Sequence, residues 1–188
     1  MNYINEIKKY TPFNEQETKD KELILNCISN YNNLLTRENS VAHFTASGYI
    51  VNKTRDKVLM IYHKIYNSWA WTGGHNDGDD DFLHVAIKEA KEETGLKNVK
   101  AVTNDIFSID VLNVNGHIKR NEYISSHLHL NITYLLDADE NEKLIVNEIE
   151  TEGVKWLPID KLRDYCSEKY MIEMVYDKLN QKIKEQFI

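Results

Sequence analysis

The sequence has few cysteines and no long apolar run, and each scarcity excludes a class of protein. Its two cysteines, Cys27 and Cys166, are far apart and lack the spacing of a metal-binding motif. We therefore expect reduced core residues rather than a disulfide framework. No apolar stretch is long enough to cross a bilayer, and no secretory leader is recognisable. These absences predict a cytoplasmic protein with no membrane partner.

The chain also lacks an excess of basic residues, because its net charge is −7. A surface that binds a nucleic-acid duplex needs a stripe of lysine and arginine, so we expect no duplex partner. A small anionic substrate remains compatible, since bound cations reverse the local field. With 188 residues, ordinary composition and no repeats or linkers, the chain is predicted to form a single domain over residues 1–188.

Residues 1–36 are predicted to form a helical extension. A short apolar stripe at helical spacing ends at Pro12. Asn14 and Glu17 then resemble a capping box at the start of a second helix. We expect this extension to pack on the core, while a substrate lid and a dimer arm remain open as alternatives.

Alternating residues replace the helical spacing after residue 41 and predict strands. The predicted strands cover residues 41–51, 57–63, 68–72, 127–136 and 154–157, with an extended pair over 102–114. A helix is expected to open at Pro158, and the last helix should bury Met171, Val175, Leu179 and Ile183. Hairpins mixed with a few helices predict an α+β fold with a mixed sheet between helical layers.

The segment from Gly73 to Leu96 is predicted to be a glycine turn followed by a helix. Apolar Leu83, Ala86, Ile87 and Ala90 recur at spacings of three and four. Glu89, Glu92 and Glu93 are spaced in the same way, so their carboxylates share one side of the helix. Such carboxylates repel one another unless water screens them or a cation neutralises them, and Mg²⁺ and Mn²⁺ favour these ligands. The alternative is a solvated acidic helix face.

This segment resembles the Nudix box, which is written G-x5-E-x7-R-E-U-x-E-E-x-G-U with U a bulky apolar residue. The matching residues are Gly74, Glu89, Glu92, Glu93, Gly95 and Leu96. Asp80 replaces the first glutamate, Lys88 replaces the arginine, and Ala90 is a small version of the apolar residue. The resemblance implies an α/β/α Nudix sandwich in which residues 73–96 form a loop-helix-loop.

Nudix proteins hydrolyse nucleoside diphosphates linked to a further group and use Mg²⁺ or Mn²⁺, so the resemblance implies the same activity and cofactor here. The implied metal ligands are Glu89, Glu92, Glu93 and the backbone carbonyl of Gly73, with Glu92 as a ligand or a base. Many members add a carboxylate from a late loop, where this chain has Glu148, Glu150 and Glu152. The predicted catalytic set is Glu92, Glu93 and Glu150.

Five further residues are predicted to contact a small nucleotide-type diphosphate: His43, His75, His127, His129 and Trp71. Strand alternation places His127 and His129 on the same side of a strand. Each histidine has an alternative role on a polar sheet face, and aromatic residues near strands commonly belong to the core.

Two other functions remain open. Isopentenyl-diphosphate isomerases share the Nudix fold and carry Cys-Gly-His where this chain has Gly73, Gly74 and His75. The missing thiol ranks that activity second. A non-catalytic, nucleotide-sensing Nudix domain is the third, and the retained glutamates disfavour it. Dimers are frequent among members of the family, so a homodimer is a further expectation.

Overall fold

A computed structural model describes residues 2–64, 67–119, 121–149 and 151–187. The helices are α1 (Asn2–Lys9), α2 (Glu15–Asn30), α3 (Phe82–Thr94) and α4 (Asp177–Phe187), with a 3₁₀ segment at Ile159–Asp164 and a π-helical turn at Met171–Tyr176. The strands are β1 (Ala42–Val51), β2 (Lys57–His63), β3 (Ser68–Ala70), β4 (Thr72–His75), β5 (Lys100–Ala101), β6 (Ser108–Val114), β7 (His117–Lys119), β8 (Glu122–Ile124), β9 (His127–Asp137) and β10 (Thr151–Pro158).

Eight of these strands form one mixed sheet in the order β10-β2-β1-β9-β5. Strand β3 pairs with β2, β4 pairs with β1, and β6 pairs with β9, while β7 and β8 form a separate hairpin. Strands β1 and β9 run parallel over their whole lengths, and the other pairs are antiparallel. The predicted mixed sheet is confirmed.

Strand β1 shows how alternation builds the two layers around the sheet. Ala42, Phe44, Ala46 and Ile50 pack in one core with residues of α1, α2 and α3. Tyr49 and Val51 pack in a second core with the C-terminal helical segments. Because side chains alternate along a strand, each strand serves both layers. The predicted α/β/α arrangement is confirmed.

The N-terminal helices belong to the first core. Tyr3 and Ile7 of α1 and Ile24 and Cys27 of α2 are buried there. The amide of Glu17 donates to Asn14 Oδ1 at 2.9 Å, which is the predicted cap of α2. The extension therefore packs on the core as predicted, although its helices end at Asn30 instead of continuing to residue 36.

Three predicted strands have different bounds in the structure. The stretch 68–72 divides at Trp71, because β3 pairs with β2 whereas β4 pairs with β1. The predicted extended pair over 102–114 is regular only from Ser108 onward, where it pairs with β9. The last strand begins at Thr151, before the predicted start at residue 154. In each case the pairing partner decides the bounds, and local sequence does not contain that information.

Four buried charged side chains join the first and last parts of the chain. Lys178 of α4 contacts Asp110 of β6 at 2.5 Å and Glu17 of α2 at 3.3 Å. Lys182 contacts Glu17 at 3.3 Å. All four side chains are at most 4% exposed. Burial alone would raise the pKa of Glu17, but the charges of Lys178 and Lys182 lower it. We call these four residues the buried ionic cluster.

None of the helices among the described residues has both the length and the apolar character needed to cross a membrane.

Candidate active site

Helix α3 presents the acidic residues to the edge strand β4. Asp81 caps its start by accepting a hydrogen bond from the amide of His84 at 2.9 Å. Gly95 closes its end with a φ of 74°, a left-handed conformation that favours glycine. The apolar side of α3 packs on the sheet through Val85, Ala86 and Ala90. The predicted helix and both of its ends are confirmed.

Glu93 joins α3 to β4 directly. Its side chain is buried, with 5% of the residue exposed. Glu93 Oε2 accepts a hydrogen bond from the backbone N–H of Gly73 at 3.0 Å. A carboxylate enclosed in this way is held in one position, which suits a ligand or a charged group at a reaction centre.

Glu89 lies against the second glycine of β4. A methyl group at Gly74 would lie 2.5 Å from Glu89 Cδ, so the absence of a side chain makes room for the carboxylate. Lys88 Nζ donates to Glu89 Oε1 at 3.2 Å and lies 3.6 Å from Glu92 Oε2. The hydrogen bond and charge of Glu89 raise the pKa of Lys88. Lys88 therefore bridges two predicted ligands.

The remaining predicted carboxylates are less enclosed. Glu92 is exposed and faces Lys88. Glu148 and Glu152 are exposed, and Glu150 lies outside the described residues. The glycine pair belongs to β4 and not to a loop, because Gly73 and Gly74 pair with Ser47 and Ala46 of β1. The donor set nevertheless fits Mg²⁺ or Mn²⁺, since two carboxylates flank a backbone approachable at glycine.

The four predicted histidines come together on one face of the sheet. His43 of β1 pairs with His129 of β9, and His75 of β4 pairs with Thr45 of β1. The ring centre of His43 lies 5.1 Å from that of His75, 4.8 Å from that of His127 and 5.0 Å from that of His129. We call His43, His75, His127 and His129 the histidine cluster.

Burial keeps two members of this cluster neutral. Burial first, and the neighbouring histidines second, lower the pKa of His129 to about 2. Burial also lowers the pKa of His43 below its ordinary value. His43 Nδ1 lies 3.0 Å from the carbonyl oxygen of Asn39, which accepts only, so Nδ1 carries the proton.

The loop before β1 fixes that histidine and the start of the box. Asn39 is buried, and its Oδ1 accepts hydrogen bonds from the amides of Val41 and Ala42 at 3.1 Å. Arg37 donates to both carboxylate oxygens of Asp77, at 2.8 and 2.5 Å. The sequence analysis did not identify Asn39, because a single asparagine before a strand has no distinctive spacing.

A polar row continues from the histidine cluster along the same face. Thr45 and Ser47 donate to Asn131 Oδ1 at 2.9 and 2.8 Å, and Asn131 Nδ2 donates to Thr133 Oγ1 at 2.9 Å. The sequence analysis predicted no role for these four residues. Their spacing of two from His43 and His129 is the pattern that places them on the same strand faces as the histidines.

Trp71 and both cysteines lie in the cores. Trp71 is 9% exposed and packs edge-on against Tyr176, with ring centres 5.8 Å apart. Its predicted contact with substrate stays a prediction. Cys27 packs in the first core and Cys166 in the second. Neither thiol belongs to β4, where the isomerase comparison requires one.

The two glycines of β4 give a matched pair of substitutions. Gly73→Ala would place its methyl 2.8 Å from the carbonyl oxygen of Ala46, a backbone atom that cannot move aside. We expect about 1–3 kcal/mol of lost stability in urea unfolding. Gly74→Ala would instead displace the Glu89 side chain, which is flexible. We expect little loss of stability and at least about a tenfold loss of turnover. If Gly73→Ala and Gly74→Ala lowered the stability equally and also lowered the turnover equally, this prediction would be wrong.

Comparison with known proteins identifies the family. The model of the NUDIX domain matches residues 42–177, which is well over half of the chain. The chain belongs to the NUDIX family, and the family resemblance of residues 73–96 is confirmed.

Relatives agree with this assignment. A protein described as a probable DHNTP pyrophosphohydrolase, from Lactococcus lactis, is 27% identical over 139 residues, covering 74% of this chain and 80% of that protein. A NUDIX-family hydrolase from Clostridium perfringens has a similar structure, with 25% identity, a TM-score of 0.52, and coverage of 74% of this chain and 97% of that chain. The prediction of a pyrophosphate-bond hydrolase is confirmed at the level of the family.

The fold is also shared with a NUDIX domain that holds a nucleotide. The domain of NrtR from Shewanella oneidensis, crystallised with ADP ribose, has a TM-score of 0.53 at 13% identity. The alignment covers 87% of this chain and 98% of that domain. Divalent metal use is general among Nudix hydrolases.

Proposed function

We propose that this protein hydrolyses a phosphoanhydride bond in a nucleoside diphosphate linked to another group, with Mg²⁺ or Mn²⁺. The observation that carries the proposal is the contact between α3 and β4. There, Glu93 accepts from the Gly73 amide and Glu89 occupies the space beside Gly74. Two carboxylates of the matched box are thereby held against the two glycines of β4, which have no side chains.

The residues around this contact have separate proposed roles. Glu89, Glu93 and the Gly73 carbonyl hold the cation, and Glu92 serves as a further ligand or as the general base. A divalent cation neutralises charge on a pyrophosphate and favours attack by water. Lys88 bridges Glu89 and Glu92, and its positive charge orients both carboxylates. Glu150 remains the proposed catalytic residue from the late loop.

The substrate is proposed to be a small nucleotide-type molecule. The relative from Lactococcus lactis is named for DHNTP, and the Shewanella oneidensis domain holds ADP ribose. We propose that His43, His75, His127 and His129 face the substrate from the sheet, and Trp71 remains a proposed contact. A nucleic-acid duplex and a membrane are not proposed partners.

Three further predictions complete the proposal. Residues 1–188 form one Nudix domain, in which residues 1–36 are an N-terminal extension that carries α1 and α2. The protein acts in the cytoplasm. It assembles as a homodimer, which light scattering on the purified protein would test.

A substrate panel tests the activity. Nucleoside diphosphate sugars, dinucleotides, nucleoside triphosphates and isopentenyl diphosphate are each incubated with the protein and Mg²⁺ or Mn²⁺. We expect release of a nucleoside monophosphate or phosphate from at least one nucleotide. Conversion of isopentenyl to dimethylallyl diphosphate, with no anhydride cleaved, would replace the hydrolase with the isomerase.

A further inference from the structure

Three histidines from three different strands have their ring nitrogens within reach of one another. One ligand nitrogen each from His43, His75 and His129 lies within 4.8 Å of the other two. Strands β1, β4 and β9 are neighbours in the sheet, so paired backbones fix the three side chains. Over the described parts of the chain, no other set of three histidine, cysteine or acidic residues is gathered in this way.

His43 offers an unprotonated ring nitrogen within the histidine cluster. His43 donates from Nδ1 to the Asn39 carbonyl, so its Nε2 carries a lone pair. His127 Nδ1 makes the same kind of contact with the carbonyl of Ser125, at 2.9 Å. A carbonyl that fixes the far nitrogen of an imidazole is the usual support for a metal-binding histidine.

Two ring nitrogens of the histidine cluster lack a hydrogen-bond partner among the described residues. The Nε2 atoms of His43 and His129 are both buried, and neither has a partner among the residues that the structure describes. Burying a polar atom without a partner is unfavourable. A phosphate oxygen would not satisfy His43 Nε2, because both atoms are hydrogen-bond acceptors and their lone pairs repel each other. A cation would satisfy both nitrogens.

We propose that His43, His75 and His129 form a binding site for a divalent transition-metal ion, with Zn²⁺ the best match. Neutral imidazole suits Zn²⁺, Fe²⁺, Ni²⁺ and Cu²⁺, whereas Mg²⁺ takes oxygen ligands. Ligand nitrogens about 2.1 Å from one ion are at most about 4.2 Å apart. Binding one ion therefore requires the three rings to move closer together, since their ligand nitrogens are now spread over up to 4.8 Å.

The position of the cluster separates this site from the acidic residues. Gly73 and His75 face the side of β4 that meets Ser47 and Thr45 of β1, whereas Gly74 faces Glu89 on the other side. His127, whose ring centre lies 4.8 Å from that of His43, borders a cleft of about 430 Å³. The histidine site therefore lies apart from the proposed carboxylate site, and a metal bound there would take the place of the direct substrate contacts proposed for His43, His75 and His129.

Cobalt titration tests the site without measuring turnover. Metal-free protein is titrated with Co²⁺, whose visible absorption reports coordination by nitrogen, and the bound Co²⁺ is then displaced with Zn²⁺. With excess Mg²⁺ present to occupy the carboxylate site, we expect one Co²⁺ per chain with a nitrogen-type spectrum. His75→Gln and His129→Gln should each weaken that binding by at least about tenfold. The matched control is His117→Gln, on an exposed hairpin strand, which should bind Co²⁺ like the unmodified protein.

A second pair of variants separates the two sites. Glu89→Gln and Glu93→Gln should retain the Co²⁺ spectrum and stoichiometry, even when they abolish hydrolysis. Circular dichroism and urea midpoints confirm that each variant is folded. A histidine variant that does not fold is replaced by His75→Asn, because His75 is half-buried on strand β4. The proposal is overturned if folded histidine variants bind Co²⁺ unchanged, or if only the glutamate variants lose it.

Discussion

Replacing Glu93 with glutamine should lower turnover by at least about a hundredfold, because a divalent cation contributes several kcal/mol to a charged transition state. Glutamine has the same shape as glutamate and retains an oxygen that accepts from the Gly73 amide, which lies 3.0 Å from Glu93 Oε2. The link between α3 and β4 should therefore remain. We expect the free energy of unfolding to change by no more than about 1 kcal/mol.

Steady-state kinetics on the best substrate of the panel, with Mg²⁺ varied, measures the effect. A lost ligand should also raise the Mg²⁺ concentration needed for half-maximal rate. The matched control is Glu22→Gln on α2, which removes an exposed carboxylate that is paired with Lys19 on the surface. Turnover of Glu93→Gln within threefold of the unmodified protein would remove Glu93 from the site.

Replacing Glu17 with glutamine should destabilise the fold by about 3–5 kcal/mol, the usual cost of leaving one charge of a buried pair without its partner. Glu17 Oε1 lies 3.3 Å from both Lys178 Nζ and Lys182 Nζ. After the change, Asp110 alone would face two ammonium groups. Since domains are stable by only about 5–15 kcal/mol, this loss is large.

Urea unfolding at pH 7 measures this change. The double variant Glu17→Gln with Lys182→Met should recover part of the loss, because it removes the charge that Glu17 had neutralised. Glu22→Gln is again the control. It removes one charge of the exposed Lys19–Glu22 pair and should change the free energy of unfolding by less than about 1 kcal/mol. A loss under 1 kcal/mol for Glu17→Gln would mean that water reaches the buried ionic cluster.

Local patterns predicted the parts of the site that depend on neighbouring residues in sequence. Asp81 and Gly95 end α3 as expected, because caps act over three or four residues. Glu89 and Glu93 lie together at β4 for the same reason, since helical spacing places them on one side. Alternation also placed His127 and His129 on the same side of their strand, where their ring centres lie 5.2 Å apart.

Features that depend on strand pairing could not be predicted from the sequence. Alternation placed His43 and His129 on polar faces, but only the register of β1 against β9 puts them side by side. The break at Trp71 arises because successive strands pair with different neighbours. Glu17 was expected as part of a helix cap, and its amide does take part in one. Its contacts with Lys178 and Lys182 join residues that no local pattern relates.

The buried ionic cluster also has a consequence for biosynthesis. Chains emerge from the ribosome with their N-terminal residues first, and Glu17 lies 161 positions before Lys178. Until α4 has been made, Glu17 and Asp110 have neither ammonium group available, so the buried ionic cluster cannot form. Contacts that distant in sequence slow folding and lengthen the exposure of apolar surface. We expect the nascent chain to depend on chaperones until its last helix is released.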